Sequence, residues 1–146
     1  HARADLFESR LTILTPSRPS PEADRVADFW KALGSRIHVM SAEEHDRALA
    51  QTSHLPHAVA AGIAAVTPPE WLPLTAGGFR DVTRIAGGDP DLWAAIFLAN
   101  RDATLAALAR FATRMDDFRR LVDAGDGSGL RAWLAEGKRV RDALGT

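Results

Sequence analysis

The chain has 146 residues, 25% of them charged and 46% hydrophobic, and a formal net charge of -1. This is the composition of a folded chain, and a near-neutral balance offers no basic field to nucleic acid or to an anionic membrane. There is no cysteine, which excludes disulfides, thiolate catalysis and cysteine-based zinc sites and points to a cytoplasmic protein.

The longest apolar run, Ala58 to Val66, is helical in character and falls well short of the roughly 20 residues that span a bilayer. The N-terminal His1-Ala2-Arg3-Ala4-Asp5 has neither an initiator Met nor the apolar stretch of a signal peptide, so the sequence reads as a piece of something longer or as a processed chain.

Leu11-Thr12-Ile13-Leu14-Thr15 is a short β-branched run that predicts a strand. Ser20 and Pro21 form an N-cap and first-turn pair, Val26, Phe29, Trp30 and Leu33 recur at helical spacing, and Gly34 ends the helix. Arg36 to Met40 reads as a second strand, parallel to the first across a crossover. Two strands do not stand alone, so the unit is expected to complete a larger α/β sheet. Beyond Met40 the strand signals stop. Ser41-Ala42-Glu43-Glu44 is a capping box opening a helix to about Gln51. Pro56 marks a break or a first helical turn, followed by an Ala-rich helix to about Thr67.

Pro68-Pro69-Glu70 caps a short turn through Leu72, Thr75 to Gly78 reads as a flexible loop, and Phe79 to Ala86 as a helix. Asp89-Pro90 opens one long helix whose apolar positions, Trp93, Ile96, Phe97, Leu105, Leu108, Phe111, Met115, Phe118 and Leu121, continue to about Val122. Gly125 to Gly129 is a turn before a last amphipathic helix, Leu130 to Leu144. The fold class is therefore mainly α: residues 1–40 are the end of a nucleotide-binding-type α/β domain and residues 41–146 an all-helical domain. No Gly-x-Gly-x-x-Gly or P-loop is present, so the chain carries no phosphate cradle of its own. The long helix from Pro90 has more apolar residues than a monomer of this size buries, which predicts a homodimer.

Three segments carry the chemistry. Ser53-His54-Leu55-Pro56-His57 puts two imidazoles on one helix face beside a hydroxyl that is placed to cap it. His-x-x-His alone allows a metal site, but the sequence supplies no third ligand. The plainer reading is one packed and one exposed histidine, and a third reading makes both imidazoles hydrogen-bond partners for a polar substrate near a helix N-terminus. Arg80 and Arg84 are four apart; Asp81 offers Arg80 a local ion pair, whereas Arg84 lies among Thr83, Ile85, Ala86, Gly87 and Gly88 with no acidic residue four positions before it. A guanidinium in such company suits bidentate capture of a carboxylate. Trp93 and Phe97 read first as core and Asp89 as a helix cap. Arg110, Arg114, Arg119 and Arg120, interleaved with Asp116 and Asp117, form a solvated face.

Taken together and in order, Asp5-Leu6-Phe7, Leu11 to Pro16, Glu44-His45-Asp46 leading into Ser53 to His57, Gly78 to Ala86, Asp89 to Trp93 and Ile96 to Arg101 resemble the prephenate/arogenate dehydrogenases of tyrosine biosynthesis. The resemblance implies a Rossmann domain followed by a helical dimerisation domain. It implies oxidative decarboxylation of prephenate or arogenate, with hydride passing to NAD or NADP and an aromatic ring forming. It implies Arg84 on a substrate carboxylate, with Ser53, His54 and His57 lining the site and Trp93 walling it. The family's dinucleotide loop and its catalytic histidine, in a Ser-His-Pro context, fall upstream of this sequence. No catalytic residue is therefore expected in this chain, His1 takes no such role, and the chain alone is expected to be inactive. Nor is a regulatory domain expected after Thr146. The competing expectations are a non-catalytic helical dimerisation module and an unrelated metal-binding helical protein using His54 and His57.

Overall fold

The computed structural model describes Arg3 and residues 5–145; His1 lies outside the described residues. The chain divides into two compact units, His1–Thr104 and Leu105–Thr146.

In the first unit, β1 (Leu11–Leu14) and β2 (Arg36–Val39) pair in parallel, Leu11 opposite Arg36 and Leu14 opposite Val39. Between them α1 (Pro21–Ala32) starts at Ser20, whose hydroxyl accepts a bond from the Ala23 amide. It ends at Gly34, where φ is +86°, the left-handed conformation that glycine adopts without steric cost. The strand–helix–strand prediction therefore holds. Leu11, Val26, Phe29, Leu33 and Val39 are nonetheless exposed, so the unit leaves apolar surface uncovered.

The capping box is also present. Ser41 Oγ accepts from the Glu44 amide at 3.1 Å and the Glu44 carboxylate accepts from the Ser41 amide at 3.0 Å, opening α2 (Ala42–Leu49). The Ser41 amide first, and the Ser41 hydroxyl second, bond the charged carboxylate and hold the Glu44 carboxyl below its ordinary value. Ser41→Ala is expected to cost about 1 kcal/mol, read as a lower urea midpoint at unchanged slope.

Of the two expectations for Pro56, a break or a first helical turn, the second holds. α2 runs through a π-helical turn, Ala50–His54, directly into α3 (Leu55–Val66). The Leu55 amide donates to the Ala50 carbonyl five residues back, so the helix is widened just where Pro56, which has no N–H, enters the first turn of α3. The expected helix N-terminus with free amides therefore does not form. Ser53 sits inside the π turn, and no side chain caps α3.

A 3-10 turn (Pro69–Leu74) leads to α4 (Gly77–Thr83) and a second 3-10 turn, Arg84–Gly87. Gly77 and Gly78, expected in a loop, are the first helical residues, because Ala76 just before them is extended and turns the chain at once. α5 (Pro90–Ala99) is capped by Asp89, whose carboxylate accepts from the amides of Asp91 and Leu92. The single long helix from Pro90 is in fact two, α5 and α6 (Arg101–Asp123), parted at Asn100 with φ -115° and ψ 43°. The Asn100 side chain donates to the Asp46 carbonyl at 2.7 Å, a bond to another element that holds it off the helical path.

In the second unit the rest of α6 is followed by α7 (Gly127–Asp142). α7 begins three residues before its expected start, because Asp126 accepts from the amides of Ser128 and Gly129 and caps the helix there. Trp133 packs against Phe118 at 4.9 Å between centroids. The Arg114 guanidinium lies 4.6 Å over the Trp133 ring and bonds Glu136 at 2.6 Å. Arg114 thus leaves the solvated face, whereas Arg119 and Arg120 pair with Asp116 and Asp117 as expected. The buried hydrophobic residues among those described are Ala50, Leu55, Ala60 and Ala107. Leu92, Leu98, Leu105, Met115 and Val122 on α5 and α6 are exposed, the apolar excess that the sequence predicts.

Candidate functional site

The π turn and the first turn of α3 each carry a buried histidine. His54 and His57 are 5% and 6% exposed. The His57 imidazole lies flat on the Trp93 indole, ring centroids 3.5 Å apart and planes 16° from parallel. Phe97 closes on both, 5.6 Å from Trp93 and 6.3 Å from His57, and His54 stands edge-on to Trp93 and Phe97. Periodicity alone placed Trp93 and Phe97 in an ordinary core; here they instead wall two histidines.

Gly88 makes the stack possible. A Cβ there would fall 2.5 Å from Trp93 Nε1, 2.9 Å from Trp93 Cδ1 and 3.0 Å from His57 Cε1. This glycine serves close approach and not unusual backbone, since its φ is -68°. The turn ending at Gly88 begins with Arg84, and α3 packs against both that turn and α4. Arg84 is exposed and has no acidic partner among the described residues. Arg80 and Asp81 are exposed as well, and the ion pair their adjacency allows is not formed. Ser53 is half-buried.

The two histidines differ in their partners. His57 Nδ1 is shut off from solvent and has no hydrogen-bond partner among the described residues, an arrangement that costs free energy until something bonds it. His54 Nδ1 lies 3.3 Å from Thr104 Oγ1 and 3.3 Å from Asn100 Nδ2. Burial pushes the His54 pKa below its ordinary value; the Asp46 charge opposes this and His45 adds to it. Unfolding therefore takes up a proton as pH falls below about 6.5, the ordinary imidazole value. Stability is full above that pH and declines as pH drops toward the lower folded pKa. The expected result is a denaturation midpoint that falls between neutral and mildly acidic pH, with a shallower fall in His54→Leu.

Sequence reasoning named His54, His57 and Trp93, which the structure brings together. It did not assign a role to Gly88, Asn100 or Thr104. A signal for Asn100 was available: the apolar period skips from Phe97 to Leu105, with Asn100-Arg101-Asp102 in the gap. Among the described residues, no group of three His, Asp or Glu side chains could hold a metal ion. A cleft of about 730 Å³ in the second unit is lined by Arg114, Asp117, Arg120, Trp133, Glu136 and Arg139. Two of its arginines are already paired, Arg114 with Glu136 and Arg120 with Asp117.

Residues 41–136 match the family model described as prephenate dehydrogenase, dimerization domain. The chain belongs to the prephenate dehydrogenase family. The match starts at the Ser41 cap and contains every residue of the histidine–tryptophan cluster. A cyclohexadienyl dehydrogenase of Zymomonas mobilis is 38% identical over 152 residues, covering 98% of this chain and 52% of that protein. Arogenate dehydrogenase of Synechocystis superposes with a TM-score of 0.84 at 27% identity, over 96% of this chain and 54% of that one. Prephenate dehydrogenase of Aquifex aeolicus, in complex with hydroxyphenyl propionate and NAD+, gives a TM-score of 0.83 at 32% identity, over 96% and 52%. The chain thus spans about half the length of its prephenate dehydrogenase relatives. The mainly helical architecture with one short parallel strand pair agrees with that family.

Proposed function

We propose that this chain is the substrate-binding and dimerisation portion of a prephenate or arogenate dehydrogenase. Residues 1–40 end the nucleotide-binding α/β part and 41–146 form the helical part, a division supported by the family match starting at Ser41. The observation that carries the reading is the His57–Trp93 stack sealed by Gly88, on a turn that begins with an exposed arginine, unpaired among the described residues. Arg84 would take a substrate carboxylate through its planar fork. Trp93 would wall the ring, and His54, His57 and Ser53 would line the site as hydrogen-bonding groups, with the unpartnered His57 Nδ1 satisfied on binding.

The cofactor of such an enzyme is NAD or NADP, and it supplies the hydride acceptor. The residues of this chain do not fit its pyrophosphate: among the described residues the two strand-to-helix connections, Thr15-Pro16-Ser17-Arg18-Pro19-Ser20 and Met40-Ser41, have no glycine to allow close backbone approach. The exposed leucines of α5 and α6 support a homodimer, and a cytoplasmic setting belongs to the same proposal. No single helix among the described residues is long and apolar enough to cross a membrane.

Prephenate titrated into the chain is expected to bind and to change tryptophan fluorescence. The same chain supplied with prephenate and NAD or NADP is expected to form no reduced cofactor. Absence of binding would remove the substrate-site reading and leave a dimerisation module, and measurable turnover would refute the division of labour proposed here.

A further inference from the structure

The break between α5 and α6 places one side chain where it sets the chemistry of another. Asn100 Nδ2 lies 2.7 Å from the Asp46 carbonyl oxygen and 3.3 Å from His54 Nδ1. An amide side chain can be turned so that either its nitrogen or its oxygen faces a neighbour, and here the neighbour decides. A backbone carbonyl only accepts, so the atom facing it is the amide nitrogen. That nitrogen has two hydrogens, and the second is the one available to His54 Nδ1. A ring nitrogen receiving an N–H must present its lone pair, which leaves the ring proton on Nε2.

We propose that Asn100 is a positioning residue that uses its bond to the Asp46 carbonyl to fix His54 as the Nε2–H tautomer, a hydrogen-bond donor at that nitrogen. Thr104 Oγ1, the other neighbour of Nδ1 at 3.3 Å, does not decide the matter. A hydroxyl donates or accepts as its partner requires, so Thr104 follows the tautomer that Asn100 sets. Asn100 is itself non-helical, φ -115° and ψ 43°, where its side chain reaches α2 and the π turn. The groups facing His54 are Asp46 and His45 from α2, neutral Asn100 and Thr104 from the α5–α6 junction, and the rings of Trp93 and Phe97. The use of the Nε2–H as a donor to bound substrate rests on the proposed function; the tautomer itself is a property of the chain alone.

Nitrogen-15 shifts of the ring atoms, correlated to Hδ2 and Hε1, read the tautomer directly. In the parent chain His54 is expected to carry its proton on Nε2 at neutral pH. Asn100→Asp sets an acceptor against Nδ1, so the proton is expected to move to Nδ1 and the titration midpoint to rise. Thr104→Val is expected to leave the Nε2–H population unchanged. The proposal is overturned by a parent chain with its proton on Nδ1, by loss of Nε2–H in Thr104→Val, or by a folded Asn100→Asp that keeps Nε2–H. If Asn100→Asp does not fold, the parent chain and Thr104→Val decide. Prephenate added to the parent chain is a separate arm: an unchanged Nε2 shift counts against the substrate-site reading and leaves the tautomer result standing.

Discussion

Alanine at Gly88 is expected to part the His57–Trp93 stack and to destabilise the chain by about 1–3 kcal/mol, the usual cost of forcing a methyl group into a filled site. The added carbon would lie 2.5 Å from Trp93 Nε1 and 3.0 Å from His57 Cε1. The backbone offers no objection, because φ at this position suits any residue. The strain must therefore be relieved by the rings, and neither is free to yield. His57 is buried at the start of α3, and Trp93 is backed by Phe97 and by the edge of His54. Near-UV circular dichroism of Gly88→Ala should lose the signal that Trp93→Phe also loses, which separates Trp93 from the other three tryptophans. A variant with the parent spectrum and melting temperature would show that the stack tolerates the methyl group, and the sealing role of Gly88 would be wrong.

Much of the fold was legible because its signals are local. Ser20-Pro21, the Ser41–Glu44 box and Asp89-Pro90 each satisfy the orphan amides of a helix start with side chains three residues away or fewer, so sequence spacing alone reveals them. The misses are of the opposite kind. Pro56 in a first helical turn is legible from the sequence, but the π turn that carries α2 straight into α3 there is not, because no local pattern announces it. Asn100 ends α5 through a bond to a carbonyl 54 positions earlier in the chain. Such a bond depends on how α2 and α5 meet, which helical periodicity does not encode. Gly77 and Gly78 look like a loop by propensity, and the extended Ala76 overrides that by starting a helix at once.

The candidate site divides in the same way. Residue type and spacing singled out His54, His57 and Arg84, because two imidazoles one turn apart and a guanidinium among small residues are uncommon where only packing matters. They could not show that Trp93 covers His57 face to face, nor that Gly88 is needed for it to do so. Ser53 was read as a cap, and that role vanished with the helix terminus it required. Without that terminus, anion binding falls to a side chain, Arg84.

Arg84→Ala is expected to leave stability within about 0.5 kcal/mol of the parent, since Arg84 is exposed and without an ion pair among the described residues. Prephenate affinity is expected to fall about 10- to 100-fold, because a charge-assisted hydrogen bond contributes about 1.5–3 kcal/mol and each tenfold in affinity is about 1.4 kcal/mol. Arg84→Lys should recover only part of the loss, as an ammonium keeps the charge without the two parallel N–H groups. Calorimetric titration of the three proteins checks the order. An Arg84→Ala chain that binds prephenate as the parent does would detach the carboxylate from this arginine, since the variant changes neither the His57–Trp93 stack nor the apolar faces of α5 and α6. The comparison therefore tests the guanidinium itself and no other part of the fold.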